Sequence, residues 1–299
     1  MEKNRLSFYN EIRNNKIYSF LLVFIVFAVL IALGYVVSLV LSQMYGPDMF
    51  FIILIVSIIF SISYVLLSYY NSDKIALASV GATAASRVEH REYYDLVEGL
   101  TLASGLPMPK LYIMQNSQIN AFASGRDPKH AVVCVTTGAL EKLNRQELEG
   151  VLSHELSHIA NFDIRFMTLT AVMVGMIAIL AQLFLRSLWF RGQSRDDSKG
   201  NVILMIIGIA LAILAPIVVQ LVSLAISRRR EYGADASAVK FTRTPTGLIG
   251  ALKKIKSNSE MKVSGAMAPL FIASPSKRFV ALFQTHPPID DRIFKLSRM

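Results

Sequence analysis

Long apolar runs, broken by segments that mix charged and apolar residues, set the pattern of this chain. Four stretches contain no Asp, Glu, Lys or Arg: 17–47, 49–72, 166–185 and 201–227. About 20 predominantly apolar residues cross a bilayer core as a helix, so all four qualify as membrane segments. A buried core helix, the alternative, usually shows a shorter apolar run. Pro216 falls inside the fourth stretch, where neighbouring membrane helices tolerate a kink. The first run is too long for the apolar core of a cleaved signal peptide, which predicts a retained anchor.

The mixed segments predict a small α+β unit. Residues 71–85 are small and polar and read as a connector leaving the membrane. From Arg87 to Ala103, Val88, Tyr94, Leu96, Val97 and Leu100 recur at helical spacing, and Gly105, Pro107 and Pro109 end the run. Lys110–Met114, Ile119–Gly125 and Ala131–Thr136 read as three short strands, with Gly125 and Asp127-Pro128 turning between the last two. Asn144-Arg145-Gln146-Glu147 then has the form of a capping box. Leu148, Val151, Leu152, Glu155 and Ile159 follow at helical spacing, predicting a helix from Arg145 to Asn161 with an apolar stripe on the core.

The expected fold class is therefore an α+β membrane protein, mostly helical, with four transmembrane or membrane-embedded helices. Its expected parts are a basic lead and first hairpin over 1–72, and a soluble unit with the sheet over 73–165. A second hairpin covers 166–227, and a return to the soluble unit covers 228–299.

Charge orients this arrangement. The formal net charge is +10, but it is uneven. Residues 71–164 carry 8 basic and 11 acidic side chains, whereas 228–299 carry 14 and 5. No recognised nucleic-acid motif accompanies the basic tail, so nucleic acid is not an expected partner. Lys and Arg beside membrane helices mark the cytoplasmic side. That rule places both termini and the soluble unit inside, and the Lys- and Arg-free loop 42–49 outside. The loop carrying Arg186, Arg191, Arg195 and Lys199 conflicts with an outer position, which leaves a re-entrant second hairpin as the alternative. One cysteine, Cys134, excludes an internal disulfide framework, and its apolar neighbours predict a buried thiol.

The chemistry lies on the capped helix. His154-Glu155-Leu156-Ser157-His158 is a His-Glu-x-x-His pattern, which also arises by chance but here falls on a helix predicted independently. Residues four apart lie within about 40° on a helix, so both histidines can grip one metal while Glu155 reaches a water beside it. Catalytic zinc takes three protein ligands and keeps a fourth position for water. His90 and His130, in polar surroundings, read as surface histidines. Glu231 is the better third ligand, on a helix running to Phe241, with Asp235 four residues on to accept the free ring N–H of a ligand histidine. A solvated acidic pair beside Arg228-Arg229-Arg230 is the bland alternative. Asn120, near a strand end, is a candidate substrate contact if a peptide adds to the sheet edge, or else a turn former.

Taken together, His154-Glu155-x-x-His158, Glu231-x-x-x-Asp235, Asn120-Ala121-Phe122-Ala123, His286-Pro287-Pro288-Ile289-Asp290-Asp291-Arg292 and the two-hairpin plan resemble the HtpX-type membrane zinc metalloproteases. These are gluzincins related to the CAAX prenyl proteases. The resemblance implies one Zn2+ per chain and a cytosol-facing, multi-pass endopeptidase of the cell membrane. It also implies damaged or misfolded membrane proteins, or unfolded polypeptide, as substrates. His286 and Arg292 become candidates for binding substrate or steadying the oxyanion. A prenyl protease is the nearest rival; a non-catalytic scaffold or transporter is the more distant one. The four apolar stretches hold no ionisable residue to line an ion path.

Overall fold

The computed structural model describes residues 46–168, 228–257 and 287–299, with isolated positions between 17 and 42 and at 206 and 210. Helix α1 (Met49–Tyr70) carries no charge over 22 residues and is apolar on every side, with Phe51, Ile55, Ile59 and Phe60 exposed. Among the described residues it alone is long and apolar enough to cross a membrane. A helix apolar all round needs an apolar surround, either a protein core or a bilayer. The first stretch touches it at two described points. A Cβ on Gly34 would come within 2.6 Å of the Ser57 Cβ, and the rings of Tyr35 and Phe50 meet edge-on at 5.7 Å. Almost all of the third and fourth stretches lies outside the described residues.

The expected connector is instead partly helical. Helix α2 (Ser72–Ser79) follows α1 directly, and its small residues let Ala76 and Leu77 press onto the sheet beside Phe122, Val132 and Cys134. Strand β1 (Thr83–Ala84) comes next, then helix α3 (Arg91–Ser104), which ends on Gly105 at φ 71°. Strands β2 (Lys110–Met114), β3 (Ala121–Gly125) and β4 (Ala131–Thr136) complete a four-stranded sheet ordered β1-β2-β4-β3. β2 and β4 are parallel, and the two outer pairs are antiparallel. Between β3 and β4, Gly125 takes φ 136°, where a Cβ would collide with the His130 carbonyl. Asp127 then accepts from the backbone N–H groups of Lys129 and His130 at 2.9 and 3.0 Å, closing the turn.

After the short α4 (Thr137–Lys142), helix α5 (Arg145–Ala160) starts at a complete capping box. The Glu147 N–H donates to Asn144 Oδ1, and the Asn144 N–H donates to Glu147 Oε2, each at 2.9 Å. Such a cap contributes about 1 kcal/mol. Lys254 Nζ adds a 2.6 Å contact to the same Glu147 oxygen. The sequence predicts one buried stripe on α5, yet nearly every residue from Glu147 to Ile159 is buried. The reason is enclosure: α3, β3, α6 (Arg228–Thr242) and α7 (Thr246–Ser257) pack around it. Gly150 and Gly247 let the α5 and α7 backbones touch, since a Cβ on either would overlap the other helix. Leu148, Val151, Leu152, Leu156, Leu248 and Leu252 form the centre of this core, and α8 (Ile289–Leu296) closes it.

Candidate metal centre

Helix α5 carries its histidines into the interior. His154 and His158 are 0 % and 3 % exposed, one turn apart, and their Nε2 atoms lie 3.2 Å from each other. Glu231 enters from the first turn of α6, with Oε2 3.6 Å from His154 Nε2 and Oε1 3.6 Å from His158 Nε2. Zinc ligands at about 2.0–2.2 Å in a tetrahedral array stand about 3.3–3.6 Å apart, so this trio has the spacing of three zinc ligands. Among the described residues, these three are the group whose donor atoms converge this way, all within 4.8 Å. His90 and His130 are not part of it; His130 is exposed and pairs with Asp127 at 2.8 Å.

The opposite ring nitrogens are engaged as well. His154 Nδ1 lies 3.0 Å from Asp235 Oδ1, and His158 Nδ1 lies 3.0 Å from Asp163 Oδ2. A carboxylate on Nδ1 holds the proton there and leaves the Nε2 lone pair free for a metal. Arg292, from α8, is 1 % exposed and grips Asp235 at both oxygens: Nη2 to Oδ1 at 2.6 Å and Nε to Oδ2 at 2.9 Å. Burial works to raise the Asp235 carboxyl, but the Arg292 guanidinium and His154 outweigh it and hold it below the usual range. The buried centre thus gathers Glu155, Glu231 and Asp235 around the fully buried Arg292 guanidinium. Unbalanced charge is costly in such a setting, and a divalent cation at the trio would offset it.

Glu155 is 1 % exposed and stands beside the trio without joining it. Burial pushes its carboxyl above the ordinary carboxylate range. It takes a backbone hydrogen bond from Ala123 of β3, while its Oε1 is buried with no partner in the protein. An orphaned carboxylate oxygen next to a metal-spaced trio is suited to accept a proton from water.

Asn120 sits where β3 begins, 3 % exposed. Its N–H donates to Thr136 Oγ1 and its carbonyl accepts from the Thr136 N–H, both at 3.0 Å, so Asn120 faces β4. By strand alternation Ala121 and Ala123 turn their peptide groups to the opposite edge. There the Asn120 Oδ1 itself accepts from the Ala121 N–H at 3.0 Å. His286 lies outside the described residues. Sequence reasoning did not assign Asp163. It lies five positions beyond His158, which on a continuing helix points well away from that histidine.

Comparison with known proteins joins this geometry to a family. Residues 88–299 match Peptidase family M48. The chain belongs to that family. A protein named Protease HtpX homolog from Thermoanaerobacter pseudethanolicus is 50 % identical over 247 residues, covering 81 % of this chain and 83 % of that one. One of the same name from Dictyoglomus thermophilum is 42 % identical over 296 residues, covering 98 % and 95 %. The solved structure titled Crystal Structure of S. mikatae Ste24p is similar in fold, with a TM-score of 0.51 at 20 % identity. That likeness covers 88 % of this chain, which spans 62 % of the other. The HtpX-type resemblance read from the five motifs is thereby shown. M48 membership implies a metalloprotease, and the His154, His158 and Glu231 group is where a metal can be held.

Proposed function

We propose that the chain is a membrane-embedded, zinc-dependent endopeptidase that faces the cytosol and degrades damaged or misfolded membrane proteins. The observation that carries this reading is the convergence of His154, His158 and Glu231 beside Glu155, whose buried Oε1 has no partner in the protein. In it the three side chains hold one Zn2+. Zinc bound there would polarise the scissile carbonyl and lower the pKa of a bound water to about 7.

The rest is the work of this chain's own residues. Glu155 accepts the proton of the attacking water and passes it to the leaving amine. Asp235 orients His154, and Arg292 steadies Asp235 while its Nη1 also lies 3.5 Å from Glu231 Oε2; its burial supports this in place of a direct contact with substrate. The outer edge of β3 at Ala121 receives an extended peptide by strand addition; the Ala123 N–H on that edge is already given to Glu155. For this Asn120 Oδ1 must yield the Ala121 N–H, which makes Asn120 a residue that substrate displaces.

Location narrows the substrates. Only residues 159–165 separate His158 from the third apolar stretch, so the site lies close to the membrane surface. We place residues 1–72 as a basic cytosolic lead and a first membrane hairpin, 166–227 as a second membrane hairpin, and 73–165 with 228–299 in the cytosol as one protease unit with both termini inside. The test is metal analysis with casein cleavage in detergent, with and without a chelator. Stoichiometric zinc and chelator-sensitive cleavage are expected. A prenylated peptide cut in preference to unfolded casein would point to the prenyl-protease chemistry instead.

A further inference from the structure

The helix that carries the histidines does not run on past them. α5 stops at Ala160, and Phe162 takes φ 60°, a left-handed conformation unfavourable for a residue with a Cβ. Its N–H donates to the Ile159 carbonyl at 3.2 Å, so the chain folds back within one turn. The fold-back delivers Asp163, 1 % exposed, to the His158 ring, with Oδ2 3.0 Å from Nδ1. The second oxygen faces α6. Arg230, the neighbour of Glu231, has its Nε 4.0 Å from Asp163 Oδ1 and its guanidinium 4.0 Å over the ring of Phe166.

From this we infer that Asp163 is a positioning residue for His158 and links the two halves of the metal centre. Each histidine then has its own carboxylate: Asp235 for His154 and Asp163 for His158. Asp163 holds the proton on Nδ1 and aims Nε2 at the space shared with Glu231. Through Arg230 it also ties the end of α5 to the start of α6, across the 62 residues of the second hairpin between 166 and 227. A backbone conformation that disfavours a side chain at Phe162 makes sense if its result is this contact. The inference rests on the zinc reading above.

The test uses the full chain in detergent micelles, with zinc titrated away by a graded chelator and the visible spectrum of the Co2+-substituted protein as a second readout. Asp163→Ala is expected to lose about 10–100-fold in zinc affinity and to shift the cobalt bands, because His158 loses its fixed orientation. Asp163→Asn keeps one acceptor oxygen for Nδ1 and should fall between alanine and the parent. A folded Asp163→Ala with parental zinc affinity and an unshifted cobalt spectrum overturns the inference while leaving the zinc reading intact. If the alanine variant fails to fold, the asparagine variant decides: weakened zinc supports the role, and parental behaviour in both readouts refutes it. Absence of zinc binding by the parent overturns the zinc reading and this inference with it.

Discussion

Arg292 and Asp235 form a buried two-point pair, 2.6 and 2.9 Å across, between helices 57 residues apart in sequence. Asp235 Oδ1 lies 3.0 Å from His154 Nδ1, so the orientation of a candidate metal ligand depends on a residue near the end of the chain. Breaking a buried pair by removing one partner costs about 3–5 kcal/mol, because the remaining charge is left uncompensated. Arg292→Ala should therefore lower thermal stability in detergent sharply. Arg292→Lys keeps the charge but not the two-pronged geometry and should lie between. A double variant, Asp235→Ala with Arg292→Met, should be more stable than the summed single losses imply. Unchanged melting of Arg292→Ala would show that the pair is not stabilising.

Glu155 stands beside the trio without joining it, and its buried Oε1 has no partner in the protein. Glu155→Gln should keep stoichiometric zinc and lose at least about 10²–10⁴-fold in cleavage rate. A zinc-loaded glutamine variant that cuts casein at the parental rate would remove Glu155 from the mechanism.

Much of this site was legible in the sequence because its signals are local. The Asn144–Glu147 box and the 3.6-residue spacing set the start of α5, and the His154–His158 offset set the face. Glu231 and Asp235 were legible as a pair four apart, helped by family resemblance. What was not legible depended on distant packing. Asp163 escaped because helical projection points it away from His158, and the left-handed turn at Phe162 has no glycine to announce it. Burial around the whole of α5 escaped because its polar residues face other buried polar groups, so no apolar stripe marks the second side. The segment 71–85 reads as a connector because Ser and Ala are equally at home in a loop and in a closely packed helix. Strand β1 escaped since two residues carry no periodicity.

Cys134 lies inside β4 between two layers of side chains, 1 % exposed. Burial pushes its thiol up to about 12. At pH 8 only about one thiol in ten thousand is then ionised, and the thiolate is the reactive form. A maleimide reagent should leave the native protein unlabelled over an hour and label it once on unfolding. Rapid native labelling at pH 8 would mean that the sheet opens.

The proposed bilayer arrangement rests on the Lys and Arg asymmetry. Reporters fused after Ser72 and after Met299 should both read as cytosolic, and one placed within 42–49 as external. An external reading after Met299 would overturn the topology. A cytosolic reading at Gln193 would instead favour the re-entrant form of the second hairpin.

The central claim is that Glu231, 73 residues beyond His158, completes a zinc site that only folding can assemble. The most direct measurement is zinc content of purified parent, Glu231→Ala and Asp235→Ala proteins after dialysis against a graded chelator. With Glu231 as the third ligand, Glu231→Ala loses zinc at chelator levels that the parent withstands. Asp235→Ala, with all three ligands present, weakens only about 10–100-fold. If Glu231→Ala instead holds zinc as tightly as the parent, the trio at α5 and α6 is not the metal site, and His286 becomes the next ligand to test.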